Sequence, residues 1–263
     1  MTVPPNTQSI VVGVIENKTI KSKSLFKSIT IWCALQWKPI LAEFIATVLL
    51  IIFGCMSCIP LEGYTQNPAV YAPLGFGLTV MFNIQIFGHI SGAFMNPFVT
   101  TIAVIWGKIP VSLGVAFIFV ECAGAILGYG FLLLVSPVDM LTEGICMTQL
   151  HKGINEVQGF AIELVLTIAL SLINCGLWDP INESKQDSAP LKFGLTILGL
   201  SIAGGPLTGA SMNPARSLGP AVWNNKWDAH WVYWAGPFIG GILVALLYKY
   251  TWLSKHKQEQ DEH

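Results

Sequence analysis

Two short stretches of this chain are near-copies of one another. The first is Gly88-His89-Ile90-Ser91-Gly92-Ala93-Phe94-Met95-Asn96-Pro97-Phe98, and the second is Thr208-Gly209-Ala210-Ser211-Met212-Asn213-Pro214-Ala215-Arg216. Each follows an apolar run at a similar place in its half of the sequence. Asn followed by Pro opens a helix, because Asn caps orphan backbone N–H groups and Pro fits the first helical position. Two short helices that begin inside membrane-like sequence do not suit a packed globule. Irregular backbone survives at membrane depth only when it is buried in protein or lines water, so the pair implies a pore.

Composition supports the membrane setting. Of 263 residues, 53% are hydrophobic and 11% charged, against about a quarter charged in soluble domains. A net charge of -1 gives no reason to expect nucleic acid as a partner. Hydropathy marks six candidate spans at roughly 40–59, 70–88, 112–135, 157–177, 191–204 and 231–250, near the ~20 apolar residues a crossing helix needs. Residues 1–38 read as a polar, Lys-bearing tail with no cleavable signal pattern, and 251–263 as a second tail. Lys18, Lys21, Lys23, Lys27 and Lys38 precede the first span. Lys108, Lys185, Lys192, Lys249, Lys255 and Lys257 fall in alternate connections or the second tail. The positive-inside rule then puts both termini in the cytoplasm. Cys33, Cys55, Cys58, Cys122, Cys146 and Cys175 are scattered and read as small buried hydrophobes. No nucleophile–base pairing or metal-ligand spacing appears, so catalytic residues, metal and cofactor are all expected to be absent, and the chain is not expected to be an enzyme.

The halves repeat. Glu43 precedes Asn96 by 53 residues, and Glu163 precedes Asn213 by 50. Gly124-x-x-x-Gly128 in the third span matches Gly236-x-x-x-Gly240 in the sixth. Three spans per half place the repeats in opposite orientations, and such inverted repeats put the working site near the midplane. The expected fold is an all-α membrane protein with six transmembrane helices, two re-entrant half-helices and an inverted 3+3 repeat. The channel domain covers 39–250, with halves at about 39–135 and 157–250. Gly88, Gly92, Gly204, Gly205 and Gly209 are expected to let the lead-in segments bend. The positive ends of both half-helices would then converge at Asn96 and Asn213, attracting lone pairs and repelling cations and protons.

Residues 39–250 resemble an aquaporin, of the major intrinsic protein family. Asn213-Pro214-Ala215-Arg216 and Gly88-His89-Ile90-Ser91-Gly92 stand in the family form, and paired Asn-Pro motifs with six spans are highly specific. The resemblance implies a homotetramer in the lipid bilayer, each subunit with its own pore, and a multi-pass protein of the plasma membrane. In the first motif Asn96 and Pro97 are kept while Phe98 replaces the usual Ala. Phe98 either packs behind the half-helix or narrows the pore centre. Phe94 stands where many relatives have His.

The resemblance also implies a four-residue selectivity filter, which counting from the motifs places at Phe76, Ser201, Ala210 and Arg216. Water-selective members usually carry His at the Ser201 position. Here Ser201 and Arg216 can meet hydroxyls while Phe76 and Ala210 meet carbon. That implies a passive channel for water and small uncharged solutes, glycerol first and urea beside it, with ions and protons excluded. This filter resembles that of the insect entomoglyceroporins. Ser217, Ala221, Tyr233 and Trp234 instead resemble the water-selective branch, so a water-selective channel with an atypical filter is the alternative. A junctional membrane protein with an incidental pore and a transporter with Glu43 or Glu163 as proton carrier are rivals from other classes.

The family role of Glu43 and Glu163 is to receive backbone N–H bonds and hold the re-entrant loops. Glu121 stands where relatives tend to have Gln, and its role is open. His89 is expected to line the cytoplasmic pore mouth. Asn17-Lys18-Thr19 and Asn182-Glu183-Ser184 fit a glycosylation pattern on the wrong side of this topology. Trp223, Trp227, Trp231 and Tyr233 read as an interfacial belt.

Overall fold

The structure is a computed structural model that describes residues 7–61, 63 and 68–253, with side chains for residues 28, 30–61, 63 and 70–253. Lys255, Lys257 and most of the expected C-terminal tail lie outside the described residues, as do the side chains of Asn17, Lys18, Thr19, Lys21, Lys23 and Lys27. The chain divides into two units, 1–39 and 40–263. In the first, helix is present from Thr7 onward, where the sequence suggested a tail. Everything below concerns the second.

In chain order the helices are α1 (Thr7–Met56), α2 (Pro68–Phe87), α3 (Pro97–Ile105), α4 (Val111–Val135), α5 (Glu156–Trp178), a 3₁₀ segment (Pro180–Ser188), α6 (Ala189–Thr208), α7 (Pro214–Asn224) and α8 (Val232–Thr251). Among the described residues, six helices are long and apolar enough to cross a membrane. The remaining α-helices, α3 and α7, are the short ones of nine and eleven residues that the Asn-Pro motifs open.

The fifth span is longer than hydropathy alone suggested. Gly204, Gly205 and Pro206 look like breakers, yet α6 runs through them to Thr208 and ends only at Gly209, whose φ of 84° is left-handed. At α5 the start is fixed by a capping box, with Asn155 and Gln158 each bonding the other's backbone N–H.

The two halves pack by one rule. Each half-helix lies against the last span of its own half and of the other, α3 on α4 and α8, α7 on α8 and α4. Close approach of the long helices depends on matched glycines. A Cβ on Gly128 would stand 2.8 Å from the Val48 carbonyl, and one on Gly240 2.7 Å from that of Leu164. Both would collide, so small residues here set the spacing that brings α3 and α7 together.

Candidate pore and selectivity filter

The lead-ins to α3 and α7 share a backbone as well as a sequence. Gly92, Ala93 and Met95 have φ of 98°, 49° and 52°, and Gly209, Ala210 and Met212 have 84°, 44° and 46°. Left-handed Ala and Met cost of order 1–3 kcal/mol each, so the surroundings must enforce them. Glycine freedom accounts for Gly92 and Gly209 only; Gly204 and Gly205, expected to share that task, are ordinary helix residues.

Buried carboxyl groups do part of the enforcing. Glu163 Oε1 accepts from the Thr208 hydroxyl at 2.6 Å and the Ser211 N–H at 2.9 Å, and its Oε2 accepts from the Met212 N–H at 2.8 Å. Glu43 Oε1 accepts from the Met95 N–H. Asn83 of α2 adds a second tie, donating to the Ala46 carbonyl and to the Met95 sulfur.

Each motif Asn is held from both sides. Asn96 Oδ1 accepts from the Phe98 N–H at 3.2 Å. Asn213 Oδ1 accepts from the N–H groups of Ala215 and Arg216 at 3.0 and 3.2 Å. Their amides reach across: Asn96 Nδ2 donates to the Met212 carbonyl and Asn213 Nδ2 to the Met95 carbonyl, both at 2.8 Å. One N–H of each amide is thus spent, and the second remains for a permeating molecule. Pro97 and Pro214 occupy the first helical positions, with Ala215 fully buried behind.

A cavity of about 510 Å³ runs past both Asn residues and is lined by Phe76, Ser201, Ala210 and Arg216 together. The structure therefore brings these four side chains, separated by up to 140 positions in sequence, onto one lumen. The Arg216 guanidinium carbon lies 4.7 Å from the centre of the Phe76 ring, and its Nη1 donates to the Cys146 carbonyl at 2.6 Å. The guanidinium keeps further N–H donors beyond that one bond. At the other end of the cavity Phe94 meets Trp178 edge-to-face at 6.0 Å, with Asn174 and Phe193 beside them.

Phe98 does not line the cavity. It is fully buried among Ile102, Leu166, Leu170, Met212 and Val244, and its ring fills the space a Cβ on Gly241 would need, 2.6 Å away. His89 is exposed in the turn just beyond α2 and is not among the residues that line this cavity.

Sequence reading missed two features. Cys55 and Cys146 are not merely buried hydrophobes but form a disulfide. It ties the connection between α4 and α5 to the end of α1, and so fixes the carbonyl that Arg216 grips. Thr148, Ser217 and Ser211 form a hydroxyl chain, Thr148 donating to Ser217 at 2.8 Å and the two serines 2.6 Å apart. This chain anchors the same connection to the start of α7. Outside the spans, the Thr142 hydroxyl holds the Asp139 carboxyl below its ordinary range, and burial pushes the His230 imidazole down.

The sequence matches the Major intrinsic protein family over residues 30–248. Aquaporin-4 of Mus musculus is 39% identical over 230 residues, covering 84% of this chain and 69% of that one. Aquaporin-2 of Rattus norvegicus is 33% identical over 225 residues, covering 85% and 82%. Among solved structures, the aquaglyceroporin from Plasmodium falciparum superposes with a TM-score of 0.73 at 22% identity, covering 82% of this chain and 96% of that one. Paired half-helices, six spans and these matches agree: the chain is a multi-pass membrane channel, not an enzyme, and belongs to the major intrinsic protein (aquaporin) family.

Proposed function

We propose that this channel conducts water and small uncharged polyols, glycerol first and urea beside it, and excludes ions and protons. The observation that carries the solute choice is Ser201 on the same lumen as Arg216, where a ring in its place would narrow the passage. A three-carbon polyol can lay its carbons on Phe76 and Ala210 while its hydroxyls meet Ser201 and Arg216. Shedding hydration costs little when the wall restores the lost bonds. Ion exclusion follows from the fixed Arg216 charge and from the helix N-termini aimed at the centre, which offer donors but no cation ligands.

A water-selective pore is the second reading, favoured by the Arg216–Phe76 contact of 4.7 Å, which draws two filter walls together. Parallel assays in oocytes separate the two: labelled glycerol uptake beside osmotic swelling. Uptake with swelling supports the polyol channel, and swelling without uptake leaves the water pore.

The same proposal extends to setting. Exposed Val111, Val115, Phe119 and Leu134 on α4 suit lipid or neighbouring subunits, as in a homotetramer. The Cys55–Cys146 bridge suits an oxidising exterior, which agrees with cytoplasmic termini and the plasma membrane.

A further inference from the structure

The two halves mount their half-helices differently. Glu163 is a fully used carboxylate, with three donors on its two oxygens. Its counterpart Glu43 uses Oε1 for the Met95 N–H, but its buried Oε2 has no donor among the described residues. Glu121, completely buried on α4, repeats the pattern: Oε1 accepts from the Thr100 hydroxyl at 2.5 Å, and Oε2 has no donor. Helix α4 packs on α1 at this level, where a Cβ on Gly124 would stand 2.9 Å from the Phe44 carbonyl, and the two carboxyl groups neighbour one another across that contact. The polar neighbours of the pair are the Ser91 and Thr100 hydroxyls and the Phe94 and Asn96 backbone N–H groups, with the Cys122 thiol next along α4. None is a cation.

In the second half, the position three before Gly236 matches Glu121, which is three before Gly124. It holds Tyr233, a hydroxyl donor that bonds the Thr208 carbonyl at 2.9 Å. A donor thus stands in one half where a carboxyl stands in the other. Two ionised carboxylates in contact inside a membrane would combine desolvation with repulsion at short range. A carboxyl carrying one proton is a donor, and a single proton between the two groups removes the repulsion and satisfies both stranded oxygens.

We propose that Glu43 and Glu121 share one proton, forming a carboxylic acid–carboxylate pair that completes the mount of the first half-helix. Glu121 acts as a positioning residue: through Glu43 and Thr100 it holds Met95 and the first turn of α3, and so the direction of Asn96.

Infrared spectroscopy of the purified channel in lipid tests this at about pH 8, well above the ordinary carboxylate range. The expected spectrum contains the carbonyl-stretch band of a protonated carboxylic acid, shifted in heavy water. That band is lost in Glu121→Gln, which keeps a neutral donor without a titratable proton. A wild-type spectrum with carboxylate bands only would overturn the proposal, and this holds even if the variant does not fold. Water permeability gives a second readout. Glu121→Gln should retain it within about twofold, while Glu121→Leu, which strands Glu43 without a donor, should lose it several-fold. Equal losses in both variants would also overturn the proposal.

Discussion

Arg216 donates from Nη1 to the carbonyl of Cys146 at 2.6 Å, and Cys146 is bridged to Cys55. The charged wall of the proposed filter is therefore braced by a disulfide that joins residues 91 positions apart. Replacing Cys146 by Ser should cost about 2–4 kcal/mol of stability and free the Arg216 side chain. The expected result is a lower thermal midpoint together with reduced water permeability. Unchanged permeability would show that the hydroxyl chain through Thr148 and Ser217 suffices.

Placing a ring at the proposed filter should separate the solutes. Ser201→His is expected to cut glycerol uptake about tenfold or more, a barrier increase of at least about 1.4 kcal/mol, while water permeability is maintained. Loss of both together would mean that position 201 is not the bottleneck.

Phe98→Ala should behave as a core truncation. The ring is completely enclosed, so about 3–5 kcal/mol should be lost, with solute preference unchanged among molecules that still fold. Gly241→Val should fail in the same way, because the new side chain meets the Phe98 ring. A thermal melt paired with the two-solute assay reads both effects.

Glu163→Gln should be harmful despite its similar shape. Gln offers one carbonyl oxygen where three donors converge, and its NH2 would confront an N–H of Ser211 or Met212. A loss of about 1–3 kcal/mol for each unmet bond is expected, measured as reduced yield of folded channel and a lower melting temperature.

A pH effect is expected outside the membrane. His230 Nε2 accepts from the Trp234 indole at 3.0 Å, and burial favours the neutral ring. Its folded-state value lies below the ordinary 6.5, so its contribution is complete above that pH and declines as the pH falls below it. Melting temperature should drop on acidification, and a His230→Gln variant should lessen the drop.

Most of the architecture was legible because it is written in local terms. Spans appear as apolar runs, Asn96-Pro97 and Asn213-Pro214 announce helix starts, and the glycine pairs repeat at fixed spacing. Ser201 could be placed on the lumen by counting because α6 is regular from it to Thr208 and the lead-in to α7 repeats that to α3. What escaped depends on pairings at long range. Cys55 and Cys146 lie 91 residues apart with no spacing rule to join them. The role of Glu121 stayed open because its carboxyl neighbour comes from α1. The extra length of α6 was hidden by Gly204, Gly205 and Pro206, residues that tertiary packing keeps helical.

The crossed bonds at the centre also constrain how the molecule is born. Asn96 finds its partner carbonyl on Met212, 116 residues later. At about 5–20 residues per second on the ribosome, the first re-entrant segment waits on the order of ten seconds before its acceptor exists. During that interval three spans have been made, but the first loop has no second loop to lock against. The centre of the pore therefore cannot close until the second motif has been made.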